Sequence, residues 1–79
     1  MRQRVLRLAG DDAERKEGWL VALRFAKQLH DSQVVHVEGV ERRILPHGGL
    51  QAAAHWPDAE LADFLDFLVL VRASYQSFT

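Results

Sequence analysis

Apolar and polar positions fall into two helical patterns with a short alternating stretch between them. In the first pattern, plotted at about 100° per residue, Trp19, Ala22, Leu23, Ala26, Leu29 and His30 share one face. Phe25 and Leu20 flank that face. Glu17, Arg24, Lys27, Gln28 and Asp31 fall opposite, with Val21 as an apolar intruder. This spacing predicts a one-sided helix over 12–31 that needs a partner surface. Asp11 is its expected cap, with Glu14 three residues on, where a carboxylate reaches back to the cap's own N–H. Gly18 weakens the early turns by up to about 1 kcal/mol relative to alanine, so something packs close to it or the helix begins near Trp19.

Beyond Ser32 the period changes. Val35 and Val37 alternate with Val34, His36 and Glu38. Gly39 interrupts, and Val40-Glu41-Arg42-Arg43-Ile44-Leu45 resumes until Pro46. Two strands are expected, 33–38 and 40–45, joined tightly near Gly39. The alternative is one long strand with a glycine bulge. Arg4-Val5-Leu6-Arg7-Leu8 reads as a short edge strand or a basic arm. Leu50 to Ala54 reads as a single helical turn after the Gly48-Gly49 turn.

The last pattern, 57–76, is the oiliest. Pro57 suits a first helical position, and Asp58 and Glu60 suit the positive end of the dipole. Trp56 is placed to staple onto Leu61. Leu61, Phe64, Leu65, Leu68, Val71 and Tyr75 form one stripe, which Phe67, Val69 and Leu70 widen well past a normal core face. Asp63, Asp66, Ala73 and Ser74 hold the weaker side. Arg72 falls between Leu65 and Leu68, where a guanidinium needs a partner or an escape to water. Each large apolar side chain withdrawn from water contributes about 1.5–3 kcal/mol, so this helix is expected to seek cover from a second copy or another protein. Its expected interface residues are Phe64, Phe67, Leu68, Leu70, Val71, Arg72 and Tyr75.

These patterns give a single small α+β domain over 1–79: an antiparallel sheet of two or three strands against two helices. An all-α arrangement, with 33–45 as an extended link, is the alternative. A chain of 79 residues buries only about 60% of its potential surface. It has no cysteine, which excludes disulfide staples and thiolate metal sites and fits the cytoplasm. No apolar run approaches the ~18 residues of a membrane span, and no long apolar core follows Arg2, Arg4 and Arg7 as a signal peptide requires.

Formal net charge is −1. Residues 1–43 hold nine basic and seven acidic groups, and residues 44–79 hold one and four, a modest asymmetry that helps two chains orient. Arg42 and Arg43 are interrupted by acids and lack interleaved aromatics, so nucleic-acid binding is not expected.

Candidate chemistry is thin. His47 and His55 bracket the glycine loop and titrate near neutrality, but their spacing matches no standard metal motif. They are the weak candidates for catalysis, and no cofactor is implied. Gly48-Gly49 lacks the pattern of a phosphate loop. The expected function is a non-catalytic regulatory or scaffolding role through homo-oligomerisation, as a homodimer or larger, and protein binding. Two alternatives are a small oligomeric enzyme with a pocket between subunits lined by His47, His55 and Arg72, and a weakly basic nucleic-acid-binding dimer.

Overall fold

A computed structural model describes residues 2–30 and 33–76. The elements run α1 (Arg2–Ala9), α2 (Ala13–Ala26), β1 (Val34–Val37), β2 (Val40–Arg43), α3 (Gly49–Ala53) and α4 (Asp58–Gln76). This is a small α+β fold, a two-stranded antiparallel sheet packed against helices.

The first segment corrects the sequence expectation. Residues 4–8 form neither strand nor arm but lie within α1. The five-residue window hid the period: Val5, Leu8 and Ala9 recur at helical spacing, and Val5 and Ala9 are buried. Gly10, with φ 61°, takes the left-handed conformation common just past a helix end.

The cap of α2 also differs. Asp12, not Asp11, accepts the Arg15 N–H at 3.0 Å. The residue at the third helical position is then Arg15, so Glu14 closes no capping box and only complements the dipole. The regular helix ends at Ala26, short of the expected 31. Gln28 N–H to Phe25 and Leu29 N–H to Ala26 then tighten the chain into successive turns. Asp31 and Ser32 lie outside the described residues. Gly18 sits where an added Cβ would be 3.8 Å from Val69 of α4, an ordinary contact that does not require glycine.

β1 and β2 form a hairpin, not one bulged strand. The register pairs Val34 with Arg43, Val35 with Arg42, His36 with Glu41 and Val37 with Val40. Glu38 (φ 53°) and Gly39 (φ 78°) make the two-residue turn, both left-handed as in type I′ turns. Ile44 N–H donates to Gln33 at 2.9 Å and adds a rung beyond the strands. Val35 is buried and Val37 half-buried against the helices, whereas every residue of β2 is exposed. Ile44 and Leu45 then turn into the core.

The core joins α2 to α4. Trp19, Ile44, Leu61, Leu65, Leu68, Val5 and Val71 are its largest fully buried side chains. Asp66 of α4 accepts the Trp19 indole N–H at 2.9 Å, and Arg15 stacks 4.4 Å from the Trp19 ring centre. Trp56 packs edge-on against Phe64 at 5.5 Å and against the core that holds Leu61. α4 begins one residue later than expected, with Pro57 O accepting the Leu61 N–H at 2.9 Å.

Arg4 ties α1 to the joint between α3 and α4. Its guanidinium donates to Trp56 O, to Ala54 O at 2.5 Å and to Asp58 Oδ1 at 2.8 Å. That hydrogen bond, with the nearby charges of Arg4 and Arg7, holds the Asp58 carboxyl below its ordinary value against a smaller opposing effect of desolvation. Among the described residues no helix is long and apolar enough to cross a membrane.

Candidate functional site

A groove of about 570 Å³ lies between β2, the segment after it and α4. Its floor is aromatic: Trp56, Phe64 and Phe67. Arg42, Arg43 and His47 stand on one side, Glu60 and Asp63 on the other. The hairpin register explains where it runs. Arg42 lies opposite Val35 on the inner face of the sheet, and Arg43 lies opposite Val34 on the outer face. Side chains from both faces line the same recess, so the groove follows the free long side of β2 rather than either face.

Arg42 projects over the floor, its guanidinium carbon 4.2 Å from the Phe67 ring centre. Such a contact keeps a cation beside an aromatic surface while leaving its donors in water.

A second feature is the distribution of exposed oil. Among the described residues, the exposed large hydrophobics are Val34 and Val40 on the hairpin and Val69, Leu70 and Tyr75 on α4. α1 and α2 expose none. Tyr75 is anchored, its ring edge-on to Phe25 at 5.6 Å and its hydroxyl accepting from Gln33 at 3.0 Å.

The expected interface residues divide accordingly. Phe64, Leu68 and Val71 are buried within the protomer's own core, and Phe67 is half-buried beneath Arg42. Leu70 and Tyr75 face outward. Arg72 is half-buried and has a contact within the protomer. His47 and His55 are both exposed; His47 lines the groove, whereas His55 and Arg72 do not. No ion pair joins His47 to Glu60 or Asp63 among the described residues. His36 is exposed on the outer face opposite Glu41, and His30 is exposed beyond α2.

Sequence reasoning passed over Trp56, Glu60 and Asp63 as groove residues. Glu60 and Asp63 read as dipole and polar-face positions on α4, and only the hairpin's placement makes them one wall. The available signal was their spacing, three apart on the face that also carries Phe64 and Phe67.

Comparison with protein-family models, with curated proteins and with solved structures finds no match to this chain.

Proposed function

We propose that this chain is a non-catalytic association module, acting through contact with its own copies and with protein surfaces in a regulatory or scaffolding role. One observation carries the reading: the exposed apolar side chains gather on two elements, the hairpin and the later turns of α4. Isolated exposed apolar residues are ordinary, but the confinement of the large ones to the hairpin and α4, with α1, α2 and α3 bare of them, is what a contact surface produces. The groove between hairpin and α4 supports the same reading. Its aromatic floor and opposed charged walls suit a chain segment or a protein surface, which needs both oil and polar anchoring.

The test is sedimentation equilibrium of the full chain from about 1 μM to about 1 mM, the range of weak to moderate protein contacts. Mean mass should rise with concentration. Val40→Asp and Leu70→Asp, each at an exposed site, should report which element takes part by lowering that rise without moving the melting temperature. A protomer mass throughout, with both variants indistinguishable from the parent, overturns the reading.

A further inference from the structure

Resting on that reading, we infer that the groove side of β2 is a self-complementary strand edge, and that its occupant is β2 of a second copy, giving a four-stranded sheet in the order β1-β2-β2-β1.

The backbone sets the geometry. Ile44 N–H bonds to Gln33, so Gln33 and Ile44 are a hydrogen-bonded pair. Counting back two residues at a time, Arg42 with Val35 and Val40 with Val37 are the other such pairs. Glu41 and Arg43 therefore direct their backbone groups away from β1, toward the groove side. β2 is exposed along its whole length, and β1 likewise presents Val34 and His36 on its own outer edge, so what singles out β2 is the order of its charges.

Charge then selects one register. Two copies of β2 related by a two-fold axis run antiparallel. If the axis passes beside Arg42, Glu41 of each copy lies opposite Arg43 of the other. Both pairs are of opposite sign, on the outer face, and each exchanges two backbone hydrogen bonds. Shifting two residues either way puts Glu41 opposite Glu41 or Arg43 opposite Arg43, like charges that oppose pairing. Arg43 also has a contact within its own protomer. A guanidinium carries five N–H donors and serves more than one acceptor.

Arg42 faces its counterpart across the axis, but from the inner face. There each guanidinium already stacks over its own Phe67, which directs it down onto the groove floor. Charges on an edge strand ordinarily block pairing. Here their order disfavours the two neighbouring registers and favours the one between them. The axis also brings the two grooves together beneath the joined strands, where the carboxylates of Glu60 and Asp63 stand ready for cationic neighbours. Four residues a side is a small contact, so the dimer is weak and concentration-dependent.

The experiment is a charge exchange on the full chain. Glu41→Arg and Arg43→Glu each place like charges in both pairs, and each should weaken self-association about tenfold or more. An equimolar mixture of the two variants restores both opposite-sign pairs and should associate as well as the parent or better. Amide hydrogen exchange supplies the second measurement: protection at Glu41 and Arg43 should rise with concentration, while Val40 and Arg42 stay protected throughout. Absence of rescue in the mixture, or concentration-dependent protection at Val34 and His36 instead, overturns the strand pairing. Association that survives both charge variants but fails in Leu70→Asp overturns it too, and leaves the association reading standing. A parent that sediments only as a protomer overturns both.

Discussion

Arg4 is the residue whose loss should be felt furthest from its own position. It supplies donors to two carbonyls and one carboxylate in the link between α3 and α4. Hydrogen bonds to charged groups contribute about 1.5–3 kcal/mol, and partial exposure places Arg4 toward the lower end. Arg4→Met should lower stability by about 1–2 kcal/mol in a denaturant melt. The same change should alter the acid limb. Asp58 titrates below its ordinary value in the folded protein, so its contribution is present above the unfolded carboxylate value and lost as pH falls through the lowered one. Stability should therefore fall less steeply below about pH 4 in Arg4→Met than in the parent. A second residue-scale expectation separates neighbours. Asp12→Ala should cost about 0.5–2 kcal/mol through loss of the cap, and Asp11→Ala should stay within about 0.5 kcal/mol. Equal losses in urea melts would refute that assignment. The sequence reading put the cap one residue early, at Asp11. It could not choose between two adjacent aspartates, because either has the same side chain and the choice is made by where the Gly10 turn lets the chain enter α2.

At the scale of elements, legibility tracked length. α2 and α4 span enough turns for the period to declare itself, and Trp19, Ala22, Leu23, Ala26, Leu61 and Leu65 lie in the core on the faces where the wheel put them, whereas Leu68, expected at an interface, is buried in the same core. α1 is two turns long, too short to separate a helical period from strand alternation when only Val5, Leu6 and Leu8 are weighed. The hairpin was legible from Gly39 but its turn was not, because Glu38 is an uncommon residue for a left-handed position. That strain is testable. Gly39→Ala should cost about 1–2 kcal/mol, since the cost is one of backbone conformation; an added Cβ there meets nothing within 4 Å. Glu38→Gly should gain up to about 1 kcal/mol by relieving the same strain. Thermal melts showing no change in either would remove the left-handed turn.

For the whole molecule, the central question was how much of α4 the fold covers by itself. It covers more than the helix wheel suggests: α1, absent from that reading as a helix, packs on α2 and extends the core through Val5 and Ala9. Leu68 is fully buried and Leu70 is 41% exposed, so the two make opposite predictions. Leu68→Asp should unfold the protomer, with a loss of about 4 kcal/mol or more, because it buries an unpaired charge. Leu70→Asp should leave the melt within about 0.5 kcal/mol. Near-ultraviolet circular dichroism separates the outcomes, since only the first abolishes the fixed environment of Trp19. The groove itself was not legible. It needs residues from β2, the segment after it and α4 to meet, and no local pattern encodes that meeting.

The long reach of the Arg4 latch also bears on the order of events in folding. Joining position 4 to position 58 closes a loop of most of the chain, and ring closure on that scale is entropically unfavourable until the segments between are already arranged. The latch is thus a late event, made after the barrier has been crossed. Arg4→Met should quicken unfolding while leaving the refolding arm of the chevron where it was; a slowed refolding arm would place this contact in the nucleus instead.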